Sequence, residues 1–525
     1  MPDHHTPEEE KSATATEPER TNAFWNVLEW LHDQWWIVLL AVFFCVTGTL
    51  WWSLRWKRPL PSSGVQTSVA VLTFEYDGQD SAQQYLCWGI PAEIALGLSR
   101  ETNLAVRPFT YTRNYSPEKL DVGRAGRELH ADYLIVGKIT RSGANVQVLV
   151  RLLDTENGRL KQQMQFSAPV EINLKIRDAL ARTALPEVAL ALGTPLTSVQ
   201  LPTASPTESA YDLYLRSSAM PVNGALNREG IVMLQRAVEL DSRFAPAWMT
   251  LGERLRIDAL SNRDTADVQL ARAGDALAQA LTLDDEFAQA LEMQVRVMID
   301  RGRLKDAYDV AVRLVELRPG SSYAHLLLAD VLRHGGMLRD ATANCDLALK
   351  FDPREWRLRS CSMAYEMLGQ NSMAERFTHV DLGTEYSAWR HILISLDQGH
   401  TDAALSRLSK VHDSCLAEVL RSYLNKSPAD KLHTMTTECE RSDTRAMIAD
   451  DHWMRARVFA YTQQPDAALN EVTLAQKRGD CGYPGLENDP LLKGVRELPA
   501  FKQREQQAQA CAAAFRDYVQ RAQSQ

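Results

Sequence analysis

The spacing of apolar and polar positions divides the chain into six segments. Residues 1–34 are mostly polar and rich in Glu, Thr and Pro, so we expect a disordered tail that ends, from Phe24, in a short juxtamembrane helix. Residues 35–54 differ sharply, because the run from Trp35 to Trp52 contains no charged side chain. At about 1.5 Å rise per residue this run spans most of a hydrocarbon core of roughly 30 Å. With tryptophans at both ends, it predicts a single transmembrane helix.

The flanks of this apolar run leave its orientation open. Arg55, Lys57 and Arg58 follow the run, whereas Glu29 and Asp33 precede it. The positive-inside rule alone would place the bulk of the chain in the cytoplasm, but it weakens for long translocated domains. Both orientations therefore remain open at this point.

Residues 67–193 predict an α+β domain in which a β-sheet is covered by helices. The apolar run at 68–74 is typical of a buried strand, and the apolar positions of the next segment recur every four residues, as in an amphipathic helix. The predicted elements, in order, are a strand at 68–74, a helix at 81–101, a strand at 104–110, a helix at 117–130, a hairpin at 131–158, a strand at 159–168 and a helix at 172–192.

A Pro-, Thr- and Ser-rich linker at 194–209 leads into residues 210–480, which repeat with a period of 34. Two pairs of residues show this separation: Ala307 with Ala341, and Pro319 with Pro353. A small residue in the second helix and Pro at the repeat end are typical of tetratricopeptide hairpins. One hairpin cannot bury its own apolar face, so we expect an all-α solenoid with a concave groove. Residues 254–280 hold an insertion relative to this period, and residues 481–525 are expected to cap the open end of the stack.

Charge and motifs narrow the function further. The 58 Lys and Arg against 67 Asp and Glu give a net charge of −9, which offers no basic footprint for nucleic acid. The chain has no Walker A loop, no His-Glu-x-x-His and no Gly-x-Ser-x-Gly. We therefore expect a non-enzymatic protein with no catalytic residue, cofactor or metal site.

The α+β segment resembles the domain shared by FlgO and membrane regulators of the CadC/ToxR type, which is often compared with the amino-terminal domain of TolB. The resemblance covers most of residues 68–192 and implies that fold without a catalytic residue. It departs at Thr73, where Pro is usual, and at Ala92, where an acidic residue is usual. The matching residues are Gly89, Ile90, Glu93, Ile94, Gly126, Leu129, Ala131, Asp132, Tyr133, Leu134, Gly137, Leu153, Asp154, Asn157 and Gly158. We expect the glycines to serve packing or turns, with a ligand-binding groove as the alternative.

The C-terminal segment is similar to the closing segment of the repeat regions in membrane regulators and adenylate-cyclase-linked chains. The residues that match are Asp489, Pro490, Leu491, Leu492, Val495, Pro499 and Phe501. Relatives with these two domains often carry a winged-helix or cyclase domain before the membrane helix, whereas here only about thirty polar residues precede it. The resemblance implies that the domains face the periplasm of a Gram-negative bacterium, and we give it slightly more weight than the basic flank.

These observations predict an inner-membrane adaptor or signalling component whose repeats bind a protein partner. The alternatives are a ligand-sensing regulator that acts through a separate effector, and a cytoplasmic scaffold with reversed topology. We expect the partner to meet exposed polar side chains of the concave groove, namely Arg296, Asp300, His325 and Arg333.

The eight cysteines are too few for a disulfide scaffold and form no Cys-x-x-Cys pair. If the chain is periplasmic, the preferred disulfide joins Cys481 to Cys511, and the second choice joins Cys415 to Cys439. The alternative is that all of these cysteines are buried thiols.

Overall fold

The computed structural model describes residues 65–78, 81–115, 120–194, 207–381, 384–409, 411, 414–442 and 448–524. The tail and juxtamembrane helix predicted at 1–34 and the transmembrane helix predicted at 35–54 lie outside these residues. Across the described ranges, no helix combines the length and the apolar character needed to cross a membrane. Residues 63–525 form one compact unit.

A six-stranded mixed sheet forms the first part of this unit. Its strands are β1 (Thr67–Val71), β2 (Glu75–Asp77), β3 (Leu104–Val106), β4 (Tyr133–Ser142), β5 (Asn145–Asp154) and β6 (Leu160–Pro169). They are ordered β3-β1-β4-β5-β6, with β2 also paired to β4. The pairs β1–β3 and β1–β4 are parallel, whereas β4–β5–β6 is an antiparallel meander. The mixed sheet with covering helices agrees with the predicted α+β class.

The helices of the sheet domain differ from the sequence predictions in three places. They are α1 (Leu86–Leu98), α2 (Phe109–Thr112), α3 (Val122–Glu128), α4 (Asn173–Arg182) and α5 (Ala184–Ala191). The strand predicted at 104–110 ends at Val106, because Arg107 and Pro108 leave the sheet and a short helix follows. The helix predicted at 117–130 begins at Val122, where Asp121 caps it by accepting the N–H of Arg124. The helix predicted at 172–192 is interrupted at Thr183.

Residues 208–477 form eight helical hairpins that resemble tetratricopeptide repeats. The first four hairpins consist of α6 (Glu208–Ala219) with α7 (Gly224–Leu240), α8 (Ala245–Ser261) with α9 (Ala266–Leu283), α10 (Ala288–Asp300) with α11 (Leu304–Leu317), and α12 (Ser322–His334) with α13 (Leu338–Phe351). In the fifth, a 3₁₀ turn (Trp356–Ser360) and α14 (Cys361–Met367) pair with α15 (Asn371–Thr378). The last three are α16 (Glu385–Asp397) with α17 (Thr401–Leu408), α18 (Cys415–Leu424) with α19 (Ala429–Ser442), and α20 (Ala449–Tyr461) with α21 (Pro465–Lys477).

The 34-residue period is explained by two recurring positions. Ala307 and Ala341 are fully buried in the second helices of adjacent hairpins, where the helices cross closely. Gly336 and Gly369 adopt positive φ in the turns between two helices. The insertion predicted at 254–280 is accommodated by lengthening α8 and α9 to 17 and 18 residues, against 13 and 14 in the next hairpin.

The sheet domain packs directly on the repeats. Arg107, which is fully buried, pairs with Asp352 at 2.6 Å and with Glu355 at 3.2 Å, across about 245 residues of sequence. On the other side, Gly89 of α1 lies against Leu215 of α6, leaving too little space for a Cβ atom. The hydrophobic core accordingly runs without a break from the sheet into α10.

The C-terminal segment folds back on the middle of the stack. It contains α22 (Gly485–Asn488), a 3₁₀ turn (Pro490–Leu492) and α23 (Pro499–Ser524). Phe515 of α23 packs on Gly335 and edge-on against Tyr308, at the third and fourth hairpins. We expected this segment to cap the open end of the stack; it packs on the last hairpin and extends from there to the third and fourth. Since both regions bury apolar side chains against α23, the solenoid is held in a closed curve.

Candidate binding chamber

The inner face of the curved stack encloses a cavity of about 1390 Å³, the central chamber. Its walls come mainly from the first helix of successive hairpins, together with residues 92–113 of the sheet domain. In α10, for example, the lining residues are spaced three or four apart and therefore lie on one helix face: Gln289, Glu292, Met293, Arg296, Ile299 and Asp300. The same spacing that builds the solenoid thus aims one row of side chains per hairpin into the chamber.

The chamber has a charge opposite to that of the whole chain. Among the described residues that line it, eleven are Arg, eight are Asp or Glu, and none is Lys. The excess of cations contrasts with the net charge of −9 for the chain. Arginine is suited to planar, bidentate recognition of carboxylates and to stacking on aromatic rings.

Arg296, Asp300 and Arg333, predicted as groove residues, all line the chamber. Arg296 is half-buried and makes no ion pair or hydrogen bond with another described residue. Asp300 is buried and accepts a 2.6 Å hydrogen bond from Arg256 Nε. The two residues therefore differ in what they offer: Arg296 presents an unpaired cation, whereas the charge of Asp300 is already compensated.

The prediction for His325 is corrected, because this residue does not line the chamber. His325 lies on the opposite side of α12, where its ring contacts Asn344 Oδ1 and the Pro319 carbonyl at 3.0 Å each and stacks on Phe351. The period places His325 on the first helix of its hairpin, but its position on that helix turns it toward α13. It therefore has a packing role between the two helices of the hairpin.

The expectation that Arg333 is exposed is also corrected. Arg333 is 3% exposed, and its Nη2 lies 2.9 Å from Asp450 Oδ1 on α20. Burial alone would lower the pKa of Arg333, but Asp450, Asp330 and Asp480 outweigh it and raise that pKa. The ion pair joins the fourth and eighth hairpins across the chamber, so Arg333 supports the closed curve.

His334, Asp450 and Asp480 bring ligand atoms within 4.8 Å of one another, as in a metal site. However, Arg333 Nη2 lies among them, at 2.9 Å from both His334 Nε2 and Asp450 Oδ1. His334 Nδ1 lies 3.2 Å from Asp480 Oδ2. A guanidinium already supplies the positive charge that these carboxylates need, so we interpret the group as an ion-pair network.

A second cluster of charge lies at the end of the chamber near the sheet domain. Burial raises the pKa of Glu253, although Arg254, Arg296, Arg256 and Arg113 oppose this effect. Nearby, burial lowers the pKa of Arg318, which makes no ion pair with another described residue. Among the described residues, Arg296 and Arg318 are thus the two lining arginines that make neither an ion pair nor a side-chain hydrogen bond.

Sequence reasoning missed the aromatic residues of the chamber and the role of Arg107. Tyr111 stacks on Trp356 at 5.2 Å, and the Arg359 guanidinium lies over both Trp356 and Tyr386. The one available signal was an arginine inside the apolar run at 104–110, since a charge in such a run needs a buried partner. That partner lies in a distant repeat, where no local pattern could identify it.

The structure joins three pairs of cysteines. Cys481 and Cys511, the preferred pair, are bonded at an S–S distance of 2.04 Å, and Cys415 and Cys439, the second choice, at 2.00 Å. A third bond, which sequence analysis did not propose, joins Cys345 to Cys361 at 2.05 Å. Cys87 is a buried free thiol.

The motif residues of the sheet domain serve packing and turns. A Cβ atom on Gly137 would meet Phe74 and the Leu149 carbonyl at about 2.6 Å. Gly158 adopts φ +69° in the turn after β5, where Asp154 Oδ1 accepts the N–H of Glu156 at 2.8 Å. Glu93, 3% exposed, accepts a hydrogen bond from Tyr211 of the first repeat helix at 3.2 Å. Its carboxylate thus helps to seat the repeats on the sheet domain.

Together, the fold and the chamber define a helical-repeat protein of tetratricopeptide-like hairpins joined to a small mixed-sheet domain. No family model matches the chain. It is 25% identical over 231 residues to the "Putative adenylate cyclase 3" of Rhizobium meliloti (strain 1021), which covers 44% of this chain. The chain spans 38% of the length of that relative.

Two solved structures are similar in outline. A tetratricopeptide repeat protein from Parabacteroides merdae ATCC 43184 covers 49% of this chain and 98% of its own, with 12% identity and a TM-score of 0.32. The human IFIT1 dimer with m7Gppp-AAAA covers 65% of this chain and 78% of its own, with 11% identity and a TM-score of 0.38.

Proposed function

We propose that this protein is a membrane-anchored, non-enzymatic adaptor that holds a segment of a protein partner in the central chamber. The observation that carries the proposal is the chamber itself, which one helix face after another lines and in which Arg296 and Arg318 have no ion-pair partner among the described residues. Its volume of about 1390 Å³ exceeds the roughly 300–1,000 Å³ of ordinary small-molecule pockets. That size favours a stretch of polypeptide over a small ligand, and therefore the adaptor over the ligand-sensing regulator.

Two further observations support an inner-membrane protein whose described residues lie in the periplasm. Three cysteine pairs lie at bonding distance, and disulfides persist in oxidising compartments such as the bacterial periplasm. The apolar run from Trp35 to Trp52 supports an anchor in the inner membrane.

The test places a bulky uncharged side chain in the chamber and leaves the charged lining residues unchanged. Ala92 lines the chamber on α1 and is half-buried, so Ala92→Trp should occupy space that the partner needs. Ala278 is exposed on α9 and does not line the chamber, so Ala278→Trp is the matched control. After cross-linking in cells, mass spectrometry should recover the partner with wild type and Ala278→Trp but not with Ala92→Trp. Equal recovery with all three, while circular dichroism shows them folded, would contradict binding in the chamber.

A further inference from the structure

One wall of the chamber carries hydrogen-bond donors that have no acceptor. Trp356 Nε1, Tyr386 Oη, Arg390 Nη1 and Arg333 Nε are all buried, and none has a hydrogen-bond partner among the described residues. The four residues line the chamber and come from the fourth, fifth and sixth hairpins. We call them the donor wall. Buried polar atoms are nearly always paired in native proteins, so four unpaired donors on one wall require an explanation.

The residues of the donor wall are neighbours. The Arg359 guanidinium lies 4.5 Å from the Trp356 ring centroid and 4.7 Å from that of Tyr386, so it fills the space between the two rings. Arg390 lies 5.9 Å from the same Tyr386 ring. Arg333 and Arg390 are only 3% and 2% exposed. The wall therefore combines two buried arginines with two half-buried aromatic side chains.

The carboxylates of the protein leave these particular atoms unsatisfied. Asp450 pairs with Nη2 of Arg333, which leaves Nε of that residue without an acceptor. The carboxylate nearest to Arg390 Nη1 is Glu366, at 3.7 Å, which is beyond hydrogen-bond distance. Arg359 is already paired with Asp381. Burial raises the pKa of Tyr386 to about 12, so its hydroxyl stays protonated and can donate at neutral pH.

The four unpaired donors suit a ligand group made only of acceptors. Tryptophan and arginine cannot accept hydrogen bonds, whereas an ionised carboxylate has two oxygens that accept several and donate none. We propose that the donor wall is the subsite for a carboxylate of an acidic peptide segment. This inference rests on the proposed function and specifies the chemistry of the partner.

The rest of the chamber favours a peptide over a polyphosphate chain. Eight acidic side chains, among them Glu253, Glu292 and Glu385, alternate with the arginines. A polyphosphate carries its negative charges on the backbone itself and cannot turn them away from these carboxylates, and like charges that face each other cost several kcal/mol at an interface. A peptide carries its carboxylates on flexible side chains, so it can turn them toward Arg296, Arg318 and the donor wall and leave its uncharged backbone facing the acidic residues.

The test relies on the fact that an unpaired donor contributes nothing to folding. Tyr386→Phe removes the hydroxyl and keeps the ring, so it should leave the melting temperature unchanged or raise it. The control is Tyr365→Phe, because Tyr365 Oη donates to Asp346 at 2.6 Å and does not line the chamber. That variant should lower the melting temperature and leave binding unchanged.

The full chain is titrated with fluorescein-labelled deca-glutamate and with deca-glutamine. Wild type and Tyr365→Phe should bind deca-glutamate more tightly than deca-glutamine, and Tyr386→Phe should weaken the deca-glutamate complex about tenfold. Equal affinity for the two peptides, or unchanged binding by Tyr386→Phe, would overturn the inference. So would binding of inorganic phosphate by a chain that does not bind deca-glutamate.

These outcomes are separate from the test of the proposed function. If Ala92→Trp abolishes recovery of the cellular partner while deca-glutamate does not bind, the chamber is a protein-binding site and the carboxylate subsite is wrong. If deca-glutamate binds as expected while Ala92→Trp leaves the partner in place, the subsite exists but the partner is held elsewhere.

Discussion

At the scale of single residues, buried charge joins the sheet domain to the repeats. Glu355 accepts hydrogen bonds from Arg357 Nε and Nη2 at 2.7 Å and pairs with Arg107 at 3.2 Å. Burial alone would raise the pKa of Glu355, but Arg357 and Arg107 outweigh it and lower that pKa to about 2. Breaking a buried pair is costly, so this contact should hold the two parts of the chain together.

A depressed pKa makes this contact sensitive to acid. In the unfolded state the pKa of Glu355 is about 4.3. The contribution of ionised Glu355 to the free energy of unfolding is therefore complete above that pH and is lost as the pH falls toward 2. At neutral pH this contribution is of the order of 3 kcal/mol. In urea unfolding from pH 6 down to pH 2.5, wild type should lose more stability than Glu355→Gln. Parallel curves for the two proteins would contradict this role.

At the scale of helices, the turn inside each hairpin from the third to the eighth contains a residue in the left-handed conformation. Gly369 adopts φ +70° in one such turn, and Lys426, exposed in the turn between α18 and α19, adopts φ +62°. A non-glycine residue in this left-handed conformation costs about 1–2 kcal/mol. Glycine avoids that cost but loses more backbone entropy on folding, which offsets roughly 0.5–1 kcal/mol of its advantage.

Exchanging residues at the two turns should therefore shift stability in opposite directions. Lys426→Gly should stabilise the chain by about 0.5–1 kcal/mol, and Gly369→Ala should destabilise it by about 1 kcal/mol, although nothing lies within 4 Å of the added Cβ. The midpoints of urea denaturation at neutral pH give both values. Shifts of the same sign in the two variants would show that the turn backbone is not responsible.

The three disulfides join neighbouring elements of the C-terminal half. Cys345–Cys361 links the fourth and fifth hairpins, Cys415–Cys439 links the two helices of the seventh, and Cys481–Cys511 attaches α23. Closing loops of 16 to 30 residues stabilises a fold by roughly 3 kcal/mol each in the chain-entropy model.

Peptide mass spectrometry of the protein isolated from cells shows whether these six cysteines are disulfide-bonded. Without reduction, peptides from all three pairs should appear cross-linked, while buried Cys87 should be alkylated only after unfolding. Free alkylation of both Cys481 and Cys511 in the folded protein would exclude that bridge. Free alkylation of all six cysteines would also argue against an oxidising compartment.

At the scale of the whole molecule, local patterns predicted the elements and missed their assembly. Ala307, Ala341, Pro319 and Pro353 identified the hairpins because the repeat imposes the same local demand every 34 residues. The pairing of Arg107 with Asp352, and the return of α23 to the third and fourth hairpins, depend on partners far away in sequence. These long-range contacts create the chamber, so sequence analysis predicted a groove and placed His325 in it wrongly.

The orientation of the chain in the membrane follows from its proposed function. A C-terminal alkaline phosphatase fusion should be active, and a C-terminal green fluorescent protein fusion should be dark, because the described residues would lie in the periplasm. The positively charged flank of Arg55, Lys57 and Arg58 predicts the opposite. An inactive alkaline phosphatase fusion together with a fluorescent green fluorescent protein fusion would establish the cytoplasmic scaffold.

Photo-cross-linking from inside the chamber tests most directly whether a partner polypeptide lies there. Benzoylphenylalanine replaces Met293, which lines the chamber on α10, or Leu283, which is 40% exposed at the end of α9 and does not line the chamber. After irradiation of living cells, position 293 should yield one discrete adduct with a partner polypeptide, and position 283 should yield none. An adduct from position 283 alone would place the partner on the outer surface and contradict the account.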